Sequence, residues 1–243
     1  MSLLEVEALN VHHGLLQAVC NVGFKIDRRE VVAFVGANGA GKTTLFRALA
    51  GAHMPAAGRV VLDGADVTSV PDHQRVKRGI ALVPEGRHLF KDLTVYENLA
   101  LANAAGRKGA WAIDAVLDVF PNLVPHLRQK AGTLSGGEQQ AAAIGRALIT
   151  NPDILLLDEV SLGLSPAAVE NVYTSIRRLV GADTTILLVE QDLDRALSVA
   201  TRVICMLEGR IVLEDAVGAL SREQIVEAYF GIRQTRAEGV TEQ

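Results

Sequence analysis

The chain has 243 residues, 28 of them acidic and 24 basic, giving a formal net charge of -4, with 49% hydrophobic and only 4% aromatic residues. This near-neutral balance argues against a protein that grips nucleic acid by neutralising many phosphates, and no apolar run reaches the roughly 18 residues that would mark a membrane span. Cys20 and Cys205 stand alone and match no zinc spacing, which suits a reduced interior with both thiols as core filler.

The first residues, MSLLEVEALN, carry acids where a secretory leader needs basic residues, so no leader is expected. LLEVEALNVHH and VCNVGFKI alternate apolar and polar positions, as half-buried antiparallel strands do. EVVAFVG, 30–36, is apolar almost throughout. It reads as a strand covered on both faces, entering a glycine-rich turn and the helix-like KTTLFRALA, which Gly51 closes. In RVVLDGADV, 59–67, Asp63-Gly64 between apolar runs signals a hairpin, so an antiparallel patch is expected to flank the main sheet.

From about 88 to 150 the pattern turns helical. Thr94 and Glu97 form a capping box before a Leu- and Ala-rich run, and Pro121 and Pro125 mark a break. Strands resume at ILLLDE, 154–159, TTILLVE, 184–190, and VICML, 203–207, with helices expected near 166–180 and 192–200. VICML and RIVLE around Glu208-Gly209 read as a closing hairpin, and the polar tail from Arg233 is expected to fray. The expectation is one α/β domain over residues 1–243: a phosphate-loop core with an antiparallel β-subdomain and a helical lobe inserted at about 88–150.

Three segments carry chemistry. GANGAGKT, Gly36 to Thr43, fits G-x-x-x-x-G-K-[ST] and lies between a buried strand and a helix. Glycines let backbone N–H groups approach phosphate oxygens, Lys42 adds a point charge, and Thr43 offers a hydroxyl to Mg²⁺. ILLLDE delivers Asp158 and Glu159 to the carboxyl end of a buried strand, where open α/β sheets bind ligands. Asp158 would hold Mg²⁺, and Glu159 would polarise the water attacking a γ-phosphate. In LSGGEQQ, Ser135 and Glu138 make a second capping box. Capping alone leaves Gly136 and Gly137 unexplained, since each costs about 1 kcal/mol against Ala within a helix. A helix start stripped of side chains admits an anion, and the economical reading gives this one to a partner's nucleotide.

GANGAGKT, LSGGEQQ and then ILLLDE together resemble the ATP-binding-cassette ATPases over roughly residues 3–231. The resemblance implies ATP held with Mg²⁺ by Gly36, Ala37, Asn38, Gly39, Ala40, Gly41, Lys42, Thr43 and Thr44. It implies a head-to-tail dimer in which Ser135, Gly136 and Gly137 act across the interface, and Glu159 as general base. Three positions depart from the family pattern. His13 stands where an aromatic ring usually stacks on adenine, Glu85 where a glutamine touches Mg²⁺ and the attacking water, and Gln191 where a histidine contacts the γ-phosphate. An amide donates a hydrogen bond but cannot become cationic, so transition-state stabilisation at Gln191 should be weaker.

VPEGRHLF, LTVYENL, EVSLGLSP, LLVEQ and EAYFG further resemble the smaller ATPase subunit of branched-chain amino acid importers, although Val160 replaces the proline usual after the catalytic acid. That resemblance implies a sister ATPase, two permease subunits, a periplasmic solute-binding protein and a place on the cytoplasmic face of the inner membrane. An importer for another small solute, such as an amide, urea or other amino acids, and a soluble non-transport cassette are the alternatives; a GTPase would need an N-K-x-D motif that is lacking. Arg87, His88, Phe90 and Lys91, within 85–99, are the expected permease-facing surface.

Overall fold

The structure is a computed structural model that describes residues 2–181 and 184–231. The expected fraying of the tail from Arg233 lies outside the described residues. Strands β1 (Ser2–His13), β2 (Leu16–Asp27), β4 (Ala57–Leu62) and β5 (Ala65–Asp66) form an antiparallel sheet in the order β2-β1-β4-β5. β3 (Val31–Val35), β6 (Ile80–Val83), β7 (Ile154–Asp158), β8 (Thr185–Val189), β9 (Arg202–Leu207) and β10 (Arg210–Ala216) form a second sheet in the order β10-β9-β3-β8-β7-β6. Its strands are parallel except β10, which pairs antiparallel with β9 as the expected closing hairpin.

The unbroken apolar runs of β3, β7 and β8 follow from burial on both faces. Val31, Ala33 and Val35 of β3 enter the core beneath the helical lobe, whereas Val32 and Phe34 enter the core shared with the antiparallel sheet. Leu155 and Leu157 against Ile154 and Leu156 divide the same way, as side chains alternating across a strand must. The second core is tied by edge-to-face ring contacts from Phe34 to Phe24 and Phe46, each with centroids 5.3 Å apart.

Helix α1 (Lys42–Leu49) packs into that core, and α2 (Asp72–Arg78) leads through Gly79 into β6. The lobe comprises α3 (Val95–Leu101), α4 (Ile113–Val119), a 3₁₀ segment at Pro121–His126 and α5 (Gly136–Ile149). Both capping boxes, Thr94 with Glu97 and Ser135 with Glu138, form as expected. Helices α6 (Pro166–Gly181), α7 (Leu193–Leu197) and α8 (Arg222–Phe230) complete the chain. α2 and α8 were not expected. Both are short; the residues of α2 are polar except Val76, and α8 buries only Ile225, so neither shows a wide apolar stripe.

Cys205 is fully buried, and burial pushes its thiol up to about 12. Cys20 departs from the expectation of core filler: it is half-buried, with Sγ 3.9 Å from the Gln17 carbonyl, because this side of β2 lies against the Gly209 turn.

Candidate functional site

Strand order places the site. β8 and β9 lie on opposite sides of β3, so the chain reverses its winding there and opens a crevice at the strands' carboxyl ends. The phosphate loop leaves β3, Glu159 follows β7, Gln191 follows β8 by two residues, and Glu85 follows β6 by two. These residues converge although up to 153 positions separate them (191 minus 38).

The loop's backbone needs its glycines. Gly36 has φ 150°, and a Cβ there would lie 2.1 Å from the Met206 carbonyl oxygen; Gly41 has φ 97°, and a Cβ there would lie 2.1 Å from that of Ala18. Gly41 also N-caps α1 without any side-chain bond, so the first N–H groups of the helix remain available. Lys42 is 4% exposed and its Nζ donates to the carbonyls of Gly36 at 2.5 Å and Ala37 at 3.1 Å. Burial lowers its pKa, with Glu159 and Asp158 opposing the shift.

Thr43 Oγ1 donates to Asp158 Oδ1 at 3.0 Å. Asp158 is 1% exposed, and burial, reinforced by Glu159 and Glu85 against the Thr43 bond and Arg47, pushes its pKa up to about 6. Glu159 holds a left-handed backbone, φ 47°, costing on the order of 1 kcal/mol in a non-glycine residue. Its Oε2 accepts from Gln191 Nε2 at 2.7 Å. The amide at the switch position therefore holds the acid directly.

His13, all residues from Asn38 to Thr44, Glu85, Glu159 and Gln191 line one cleft of about 520 Å³. Leu16, Ala18 and Leu162 line it too and carry no motif of their own: Leu16 and Ala18 open β2 just past the turn that follows His13, and Leu162 lies in the EVSLGLSP run quoted only for its resemblance. Gly36 and Ala37 take part through the carbonyls that receive Lys42. Among the described residues, no group of three or more His, Cys, Asp and Glu gathers to hold a metal alone. Thr43 and Asp158 supply two hard oxygen donors, a set that fits Mg²⁺ completed by phosphate oxygens and water.

Ser135, Gly136 and Gly137 do not line this cleft. They stand at the start of α5, with Ser135 exposed and both glycines half-buried. The capping box occupies them locally: Glu138 Oε2 accepts the Ser135 N–H at 2.8 Å, and Ser135 Oγ accepts the Glu138 N–H at 3.4 Å. His126 Nε2 lies 3.2 Å from the other Glu138 oxygen. The glycines have a packing reason beyond anion access. A Cβ on Gly137 would come within 2.9 Å of Ala168 Cβ, and one on Gly136 within 3.1 Å of Leu164 and 3.2 Å of Arg87 Nη2. No spacing in the chain announces that contact, because Arg87 lies 49 residues earlier (136 minus 87).

The ABC transporter family model matches residues 19–161. The branched-chain amino acid transport ATP-binding protein BraG of Pseudomonas aeruginosa is 40% identical, covering 94% of this chain and all of that protein. A probable branched-chain amino acid transport ATP-binding protein LivF of Archaeoglobus fulgidus is 38% identical over 90% of this chain and 94% of its own length. Among solved structures, the ADP conformation of MJ1267, an ATP-binding cassette of an ABC transporter, superposes with a TM-score of 0.82 at 27% identity, covering 95% of this chain and 99% of that one. A dimeric post-hydrolysis cassette bound to ADP and Pi gives a TM-score of 0.77 at 25% identity, over 88% of this chain and 98% of that one. The phosphate loop, the acidic strand end and these relatives agree over the same residues, and the chain belongs to the ABC transporter family as one of its ATP-hydrolysing cassettes.

Proposed function

We propose that this ATPase energises uptake of branched-chain amino acids through separate membrane permeases, as the partner of a sister cassette. The observation that carries the two-cassette reading is the separation of the two anion-binding helix starts. The phosphate loop lines the cleft, while Ser135, Gly136 and Gly137 lie outside it, at a helix start that is exposed at Ser135. A second cassette docked head to tail would bring its own signature segment over the phosphates held here.

Within that sandwich the loop N–H groups and Lys42 bind the triphosphate, Lys42 exchanging the Gly36 and Ala37 carbonyls for phosphate oxygens. Thr43, Asp158 and Glu85 would hold Mg²⁺, which when bound supplies positive charge to the phosphates. His13 offers a ring to the base at the exposed rim. Glu159 accepts the proton of the attacking water as its oxygen bonds the γ-phosphorus and the bond to ADP breaks. The Gln191 amide restrains one Glu159 oxygen and leaves the other for the water. Ser135, Gly136 and Gly137 perform the same stabilising task for the sister's nucleotide.

A second cavity, of about 380 Å³, supports permease docking. Arg87, His88, Phe90, Leu101 and Arg146 are among its walls; Phe90 and Leu101 are 56% and 47% exposed, and Arg146 stacks over the Phe90 ring at 5.8 Å. An apolar groove with cationic walls suits a permease segment with an acidic or amide-bearing face. No helix among the described residues is long and apolar enough to cross a membrane, so attachment to the cytoplasmic face would run through such permeases, with a periplasmic solute-binding protein delivering substrate beyond them.

Coexpression with a branched-chain amino acid permease pair and its sister cassette tests the proposal. The chain should move to the membrane fraction only with the permeases, and ATPase of the reconstituted assembly should rise with leucine-loaded binding protein but not with amides or urea. Stimulation by another solute would reassign the substrate, and membrane-independent behaviour would favour a soluble cassette.

A further inference from the structure

Glu190 is buried, titratable and unused by the reaction as derived above. It is 2% exposed at the carboxyl end of β8, beside Gln191. Its Oε2 accepts the Gln191 N–H at 3.1 Å, and its own N–H donates to the Phe34 carbonyl at 3.4 Å, on the strand that feeds the phosphate loop. Among the described residues its Oε1 has no partner of full hydrogen-bond geometry and faces the Tyr173 hydroxyl. An apolar side chain would fill this position without the cost of burying a carboxylate, and orphaned buried polar atoms are rare enough to call for a reason.

Two further features surround it. Tyr173 of α6 is 1% exposed, and its hydroxyl also lacks a well-formed hydrogen bond. Burial first, and the facing Glu190 carboxylate next, push this phenol well above its ordinary value. Glu190 also lines a separate cavity of about 280 Å³ together with Glu159 and Gln191. The same Glu159 and Gln191 line the nucleotide cleft, so the bonded pair is a wall between two cavities with Glu190 behind it.

We infer that Glu190, backed by Tyr173, is a positioning residue for hydrolysis: it fixes the main chain of Gln191 so that the Gln191 amide stays on Glu159. This deepens the proposed function and rests on the role given there to Glu159. Glu190 does not line the nucleotide cleft. Its effect passes wholly through Gln191, and that makes it separable from general structural support.

The test is a double-mutant cycle in the full-length chain assembled with its sister cassette and permeases. Glu190→Leu removes the acceptor and should lower kcat about tenfold while leaving the KM for ATP within about twofold. Glu190→Gln keeps an acceptor oxygen and should recover most of the loss. In a Gln191→Ala background Glu190→Leu should add nothing, because the group it positions is gone. Unchanged kcat in Glu190→Leu, or the same fold loss with and without Gln191, overturns the inference. Should the Leu variant fail to fold, Tyr173→Phe removes one oxygen from a ring that keeps its packing; it should lower kcat about threefold, and only where Gln191 is present. Wild-type turnover in that variant then overturns the inference. Glu159→Gln is run in parallel: if it keeps turnover, the role of Glu159 has failed, whereas its loss beside an inert Glu190 sinks the positioning idea alone.

Discussion

Lys42 shows how a single side chain can be prepared for a ligand. Its ammonium sits against two carbonyls of its own loop, beside the helix start where phosphates would bind. Lys42→Ala should weaken ATP binding about 100-fold, measured by titration with a fluorescent analogue; micromolar affinity retained would count against the site. Asp158 gives a pH dependence of definite sign. Its folded pKa is raised to about 6, so the fold favours the neutral acid. Stability of the nucleotide-free chain should therefore fall as pH rises between about 4 and 6, whereas the Mg²⁺-dependent gain in ATP affinity, which needs the carboxylate, should fade below about pH 6. Melting temperatures and ATP titrations across that range check both signs, and Asp158→Asn should flatten both curves. Gln191→His probes the departure at the switch position: turnover rises if a cationic imidazole is what the site lacks, and stays level if the sister site carries the turnover.

At the level of elements, the strands were legible because each pattern has one physical cause. Two-sided burial makes β3 apolar throughout and β7 and β8 apolar except for Asp158 and Thr185, and the Glu208-Gly209 turn announces β10. The capping boxes at Thr94 and Ser135 were legible because donor and acceptor lie three residues apart, whereas the same pattern at Ser221 and Gln224, which starts α8, was passed over. Support that crosses between elements was not. Arg75 on α2 is fully buried and donates to the carbonyls of Ala48, Leu49, Thr68 and Val70, closing the C-terminus of α1 from outside that helix. Burial holds its pKa down at about 10, and no carboxylate among the described residues bonds it directly. Its spacing in the chain looks like an ordinary surface arginine. Arg75→Met should cost about 3 kcal/mol by stranding buried carbonyls, read as a drop in the denaturant midpoint. Lysine should not rescue it, because an ammonium cannot span four acceptors in a planar fork.

For the whole molecule, the residues of the cleft were legible one motif at a time, and their assembly was not. His13, Glu85 and Gln191 were placed from their order beside the motifs, and the strand order that brings them into one cleft appears only in the sheet. The helical lobe is fastened to the core far along the chain. Arg107 bonds the Asn151 carbonyl at 2.9 Å and Asp153 at 2.7 Å, while the Asn151 side chain returns to the main chain at Trp111. This contact lies beyond the end of α5, while at its start Gly136 and Gly137 pack against Leu164 and Ala168, so the helix is anchored at both ends. In the proposed sandwich Glu159→Gln should slow hydrolysis without loosening ATP, and size exclusion with ATP should then show a lasting dimer. A monomer under those conditions would separate Glu159 from the catalytic step.

In the proposed head-to-tail pair, each cassette would lend its signature start to the nucleotide held by the other, and so would own half of two catalytic centres. Such a pair, whether with the sister cassette or with a second copy of this chain, would be silenced by dilution. Its turnover per molecule should climb with concentration until pairing saturates, and a catalytically dead copy that keeps its signature segment should still rescue the activity of a neighbour.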